Sequence, residues 1–121
     1  MAKILIVEDE EPQRMLYETE ISEMGHQVIL ARDGTEAVDA ARKQKPDVVV
    51  LDLMIPKLHG LEALKKMLGN NPNIPVIIHT AYSHYKDDFM SWAAEEYIVK
   101  SADLGELKNA IKRALAGRRK S

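Results

Sequence analysis

Cysteine is absent from the 121-residue chain, which excludes disulfides, thiolate nucleophiles and cysteine-ligated zinc or iron–sulfur centres. A surplus of either charge is missing too: 17 basic residues face 19 acidic ones, for a net charge of −2. A general nucleic-acid binder needs a basic face to neutralise phosphates, so direct contact with nucleic acid is not expected. No apolar stretch approaches the roughly 18 residues of a membrane span. The first nine residues, MAKILIVED, meet a carboxylate too early for a signal peptide. Glycine/serine tracts, proline runs and internal repeats are lacking as well. The four histidines include no pair at metalloprotease spacing. What is present is ordinary for a globular protein, 45% hydrophobic and 30% charged residues. At this length about two-thirds of the unfolded chain's surface can be buried. The expectation is a single soluble domain in the cytoplasm.

Short apolar runs alternate with longer amphipathic stretches. The runs are Ile4–Val7, Val28–Leu30, Val48–Leu51, Val76–Ile78 and a weaker Tyr97–Val99. They are rich in valine and isoleucine, and several are continuous, as suits strands buried on both faces of a parallel sheet. Between them, residues 12–24 start at Pro12 and stop before Gly25. Residues 35–45 carry Ala37, Val38 and Ala41 on one face, and Leu61, Leu64 and Leu68 share another. Residues 84–94 form a weaker helix candidate. Leu104, Leu107, Ile111 and Leu115 make the last stripe, with Asp103 and Glu106 at capping-box spacing. Five strand–helix alternations predict a doubly wound α/β sandwich with parallel strand order 2-1-3-4-5. In such a fold, ligands bind beyond the carboxyl ends of the strands.

The polar residues that close each run are therefore the informative ones. Glu8 and Asp9 follow the first, Asp52 the third, Thr80 ends the fourth and Lys100 the fifth. A single such residue is commonly a turn former, a cap or a solvated charge. All of them on one sheet edge would form one site. Clustered carboxylates raise one another's pKa unless a cation intervenes, and Mg²⁺ is held by one or two carboxylates together with waters and phosphate oxygens. A carboxylate also attacks phosphorus to give an aspartyl phosphate. Asp52, behind an apolar run, is the natural acceptor, with Thr80 and Lys100 as donor and counter-charge for phosphoryl oxygens.

In this arrangement the chain resembles the receiver domain of two-component response regulators (CheY-like), from Lys3 to about Ala116. The matching segments are ILIVEDE at 4–10, DVVVLDLMIP at 47–56 with Gly60, VIIHTA at 76–81 and YIVK at 97–100. The resemblance implies a flavodoxin-like three-layer sandwich and a phosphorylation-activated switch. Asp52 is then the phosphoacceptor. Asp9 binds Mg²⁺ (or Mn²⁺) directly, Glu8 binds it through water, and the backbone carbonyl of Met54 completes the protein's ligands. Thr80 is the switch hydroxyl, Lys100 the phosphoryl-pairing lysine and Tyr97 the aromatic that reports the state. The resemblance also implies a sensor histidine kinase or phosphotransfer protein as donor, and a downstream protein as receiver of the signal.

One departure concerns the lysine, which in this family is normally followed by proline, often through a cis bond; here Ser101 follows. A non-proline cis bond costs roughly 2.5–4 kcal/mol, so the expectation is a trans bond with a rearranged loop, or a cis bond held by surrounding contacts. The other departure is Glu8 in place of the commoner Asp. Rival functions fare less well. A dinucleotide site or P-loop needs a glycine-rich first turn, whereas this one reads Glu8-Asp9-Glu10-Glu11. Aspartate-nucleophile phosphatases place a second Asp two residues after the nucleophile, where this chain has Met54. No turnover of external substrate is expected. Met54 and Tyr82 stand where the family tunes the phosphoaspartate's lifetime.

Five of the six aromatics lie at 82–97 (Tyr82, Tyr85, Phe89, Trp92, Tyr97). Exposed aromatics favour interfaces, which places a downstream partner on the face of residues 84–115; at least half of the five are expected to pack on the sheet instead. The tail at 117–121 is basic. The domain expected is one receiver over 1–121 with its core at about 3–116. The alternatives are the receiver fragment of a longer regulator, or a phosphorylation-independent binding module.

Overall fold

The computed structural model describes residues 1–119; Lys120, Ser121 and the side chains of Phe89, Arg118 and Arg119 lie outside the described residues, and with them part of the basic tail. Five strands form one parallel sheet: β1 (Lys3–Val7), β2 (Gln27–Ala31), β3 (Val48–Leu51), β4 (Val76–Thr80) and β5 (Glu96–Val99). Their order is 2-1-3-4-5, as the alternation predicts. Four helices connect or follow them: α1 (Glu11–Ser22), α2 (Gly34–Gln44), α3 (Gly60–Asn70) and α4 (Gly105–Arg119).

The strand residues divide by parity between two cores. Leu5, Val7, Val49, Leu51, Val76 and Ile78 face α2 and α3, where they meet Ala37, Ala63, Leu64 and Met67. Ile4, Ile6, Val48, Val50, Ile77 and Ile98 face α1 and α4, where they meet Tyr17, Ile21, Leu107 and Ile111. Both faces of β1 and β3 are dry, which is why their sequences run continuously apolar instead of alternating.

Local chemistry fixes the helix ends. Asp33 Oδ1 accepts the N–H of Glu36 at 2.8 Å and caps α2. Pro12 sits in the first turn of α1, where its missing N–H costs no helical bond. At α4, Asp103 Oδ1 accepts from the N–H of Gly105 at 2.8 Å, so the aspartate caps two residues ahead, short of the three-residue spacing of a capping box.

The helix expected at 84–94 is corrected. The segment forms two 3-10 turns, His84–Asp87 and Phe89–Ala93, separated by Asp88 in extended geometry. Asp88 Oδ1 accepts from the N–H of Met90 at 2.9 Å. Aspartates that bond nearby backbone compete with the α-helical ladder, and here that competition prevails although Tyr85, Phe89 and Trp92 recur at helical spacing in the sequence. Tyr85 and Tyr97 are half-buried against the α2/α3 core, whereas Tyr82 and Trp92 are exposed, Trp92 by 70%.

Candidate functional site

The carboxyl ends of β1, β3, β4 and β5 bring Glu8, Asp9, Asp52, Thr80 and Lys100 to one edge of the sheet. The N–H of Asp52 donates to the Val7 carbonyl at 3.1 Å, which ties the end of β3 to the strand that leads into Glu8 and Asp9. Similarly, the N–H of Lys100 donates to the Thr80 carbonyl at 2.7 Å and joins β5 to β4. Carboxylate oxygens of Glu8, Asp9 and Asp52 all lie within 4.8 Å of one another. Glu8 and Asp52 are buried, and Asp9 is exposed.

Lys100 reaches into this cluster. Its Nζ stands 2.6 Å from Glu8 Oε1 and 2.8 Å from Asp52 Oδ2. Burial works against the ammonium's charge, but the bonds to Asp52 and Glu8 outweigh it and hold the lysine above its ordinary range. For Glu8 the balance runs the other way: burial raises its pKa despite Lys100. The other Asp52 oxygen, Oδ1, accepts from the N–H of Met54 at 3.2 Å, which orients the carboxylate.

Three carboxylates against one ammonium is an excess of negative charge that a divalent cation matches. All three donors are hard oxygens, the set that Mg²⁺ prefers. The donor chemistry therefore fits the metal.

Thr80 is fully buried, and among the described residues its Oγ1 has no hydrogen-bond partner. Such buried unpaired hydroxyls are few in native proteins; the other among the described residues is Ser91 Oγ. Tyr97, half-buried, donates its hydroxyl to the Tyr82 carbonyl, so it is tied to the segment that follows Thr80. Lys86 Nζ lies 5.9 Å over its ring.

The peptide after Lys100 is trans, since the described backbone contains no cis bond. Of the two bond geometries expected before Ser101, the trans one occurs, and the serine hydroxyl donates to the Asp103 carbonyl at 3.0 Å in a loop that runs into α4.

Sequence reasoning missed Gln13. From α1 its Oε1 accepts from Lys100 Nζ at 2.8 Å and from the Tyr17 hydroxyl at 3.0 Å. The available signal was helical periodicity, because Gln13, Tyr17 and Ile21 recur every fourth residue on the face of α1 that meets the sheet.

Comparison with known proteins agrees with this geometry. The response regulator receiver domain family matches residues 4–112. Sporulation initiation phosphotransferase F of Bacillus subtilis is 36% identical over 93% of this chain and 93% of its own length. Other curated relatives are longer, and the chain spans between a quarter and about half of their length, 48% in the case of a probable transcriptional regulator of Porphyridium aerugineum. Among solved structures, the response regulator TrrA of Thermotoga maritima in complex with Mg²⁺-BeF superposes with a TM-score of 0.92 at 39% identity, covering 95% of this chain and 100% of that one. TrrA in complex with the histidine kinase ThkA gives a TM-score of 0.89 at 39% identity, over 95% and 99% of the two chains. With the family model spanning most of the chain and a relative of similar length above 30% identity, the chain belongs to the response regulator receiver domains of two-component signalling.

Proposed function

We propose that Asp52 is the phosphoacceptor of a signalling switch, and the observation that carries this reading is Asp52 itself, buried at a strand end between Lys100 and the Glu8–Asp9 pair. An Asp52 carboxylate oxygen attacks phosphorus. The new O–P bond forms as the bond to the donor breaks, either the N–P bond of a kinase phosphohistidine or the O–P bond of a small acyl phosphate. The leaving imidazole or acetate takes the electron pair. Asp9, Asp52 and the Met54 carbonyl would hold Mg²⁺, with Glu8 reached through water; when bound, the ion neutralises charge on the phosphoryl oxygens. Lys100 pairs with one phosphoryl oxygen and the Thr80 hydroxyl donates to another. Thr80 sits on β4 just before the segment that Tyr97 holds through Tyr82. Movement of the threonine therefore shifts the Tyr97 contact and the surface around it, a two-state element biased by new charge.

The structure of TrrA with a histidine kinase supports a kinase as the donor for this chain. Trp92 and Tyr82, exposed on the 84–115 side, support a downstream partner there. Met54, 42% exposed, stands where a phosphatase would need a second acid–base group and cannot transfer a proton. We read the chain accordingly as a switch without turnover of external substrates. Among the described residues no helix is long and apolar enough to cross a membrane, which supports action in the cytoplasm. We read residues 1–121 as a single receiver domain. The longer relatives favour the receiver portion of a larger regulator as second reading, with the same chemistry at Asp52.

The test is intact mass after incubation with acetyl phosphate, with and without Mg²⁺, beside Asp52→Asn. The expected result is one phosphoryl adduct that requires Mg²⁺ and is lost in the variant. A folded protein that takes up no phosphoryl group under any condition would establish a phosphorylation-independent binding module instead.

A further inference from the structure

A lysine ammonium has three protons to donate. In Lys100 they go to Glu8 Oε1 at 2.6 Å, Asp52 Oδ2 at 2.8 Å and Gln13 Oε1 at 2.8 Å. The first two acceptors belong to the acidic cluster. The third lies on a different element, α1, and is neutral. Its orientation is dictated by its neighbours. Gln13 Oε1 takes a second proton from the Tyr17 hydroxyl at 3.0 Å, and Gln13 Nε2 donates to Glu10 Oε1 at 3.0 Å. Two donors on the oxygen side and a carboxylate on the nitrogen side admit only one amide orientation. Tyr17 is itself buried, with its ring edge-on to His79 of β4 at 5.3 Å between centroids. The chain from Lys100 through Gln13 and Tyr17 thus ends on the core between α1 and the sheet.

We propose that Gln13, oriented by the Tyr17 hydroxyl, is a positioning residue that holds the Lys100 ammonium at the acidic cluster, so that only the Asp52-directed bond is exchanged for a phosphoryl oxygen on phosphorylation. This rests on Asp52 as phosphoacceptor. A lysine gripped at Glu8 alone would sweep an arc on its four-carbon stem. Gripped at Glu8 and Gln13 from opposite elements, it is preorganised, and preorganised charge needs no rearrangement as the transition state forms. A neutral amide suits this task better than a carboxylate, because it accepts a proton without adding negative charge beside an acceptor for phosphate.

The test uses the full chain and compares wild type with Gln13→Met, which keeps length but has no comparable acceptor. Tyr17→Phe, which removes only the orienting hydroxyl, is the gentler second variant should Gln13→Met fold poorly. Two readouts are taken. The rate of Mg²⁺-dependent adduct formation from acetyl phosphate is expected to fall by about five- to tenfold in Gln13→Met and less in Tyr17→Phe, where tenfold corresponds to about 1.4 kcal/mol. In a Lys100→Met background the same substitutions are expected to change nothing further, a coupling that a merely structural role would not show. Separately, ¹⁵N-detected proton exchange at the Lys100 ammonium, which needs no phosphorylation, is expected to speed up in both variants. Unchanged rates and unchanged ammonium exchange would overturn the positioning role and leave the phosphoacceptor reading intact, as would an equal slowing in the Lys100→Met background. A wild-type protein that never forms the adduct would overturn the phosphoacceptor reading and this role together, whatever the ammonium exchange shows.

Discussion

Lys100 Nζ lies 2.8 Å from Asp52 Oδ2, so the proposed phosphoacceptor rests in an ion pair between residues 48 positions apart in sequence. The pair is nearly dry, with side-chain exposures of 14% and 9%. Removing one partner of such a pair strands the other's charge, at a typical cost of about 3–5 kcal/mol. Lys100→Met also strands Glu8, bonded to the same ammonium. The variant is expected to lose about 3 kcal/mol of stability in metal-free buffer. Saturating Mg²⁺ should restore a larger share of stability to the variant than it adds to wild type. Urea denaturation of both proteins with and without Mg²⁺ measures this; equal Mg²⁺ increments would show that the lysine does not neutralise the cluster.

Asp9 completes the acidic cluster but is exposed, unlike Glu8 and Asp52. Its carboxylate therefore adds repulsion without gaining burial, and its contribution lies in cation binding. A ligand that binds only the folded state at a hundred times its Kd stabilises by about 2.7 kcal/mol. Asp9→Asn is expected to be as stable as wild type, or slightly more so, without metal, and to lose most of the Mg²⁺-dependent rise in Tm. Thermal melts over a Mg²⁺ titration check both halves. A variant that keeps the full response would move the metal off Asp9.

His79 gives the fold a pH dependence that is separate from phosphorylation. It is buried, 3% exposed, and burial, aided by the Lys100 charge, pushes its pKa down from 6.5 to about 4. Above 6.5 the imidazole is neutral in both folded and unfolded chains, and the stability is at its full value. As the pH falls below 6.5 the unfolded chain takes up the proton while the folded protein refuses it, so stability declines until about pH 4. Over that window the loss amounts to about 3 kcal/mol. His79→Leu is expected to flatten this part of the profile, measured as unfolding free energy in urea from pH 7.5 to 4.5. Parallel profiles for the two proteins would place the acid sensitivity elsewhere.

Much of this site was legible in the sequence, for a physical reason. Parallel strands buried on both faces must be continuously apolar, so runs such as Val48–Leu51 stand out, and the first polar residue after each run marks the edge where chemistry collects. Asp52 and Lys100 are found this way, and Thr80 lies one residue further, beyond His79. For Gln13 the helical periodicity shows only which face of α1 it occupies; a polar residue in the first turns of an amphipathic helix is ordinarily solvated, and only Lys100, just past the distant β5, makes it an acceptor. The segment 84–94 misled because its helix-compatible composition hides Asp88, whose bond to the Met90 N–H breaks the ladder. Ser101 left two backbone outcomes open; the non-proline penalty favours the trans bond that forms.

The glycine at position 60 ties the loop after Asp52 to the start of α3 more tightly than any side chain there could. A Cβ at Gly60 would stand 2.4 Å from Leu53 Cα and 2.8 Å from the Asp52 carbonyl oxygen, both backbone atoms that cannot turn aside. The Gly60 N–H donates to the Leu53 carbonyl at 2.9 Å, so the helix is docked on the residues between Asp52 and Met54. Gly60→Ala must push α3 away or displace this loop, and overpacking of that kind costs about 1–3 kcal/mol. Because the displaced residues flank Asp52 and include the Met54 N–H that orients its carboxylate, adduct formation should slow as well if Asp52 is the phosphoacceptor proposed above. Gly69, nine residues along the same helix, has nothing within 4 Å of its added Cβ, and Gly69→Ala should leave phosphorylation unchanged while adding up to about 1 kcal/mol of stability. Urea midpoints and acetyl phosphate adduct rates for the two variants separate the effects. If Gly60→Ala loses stability but phosphorylates at the wild-type rate, the loop that carries Asp52 and Met54 yields independently of α3.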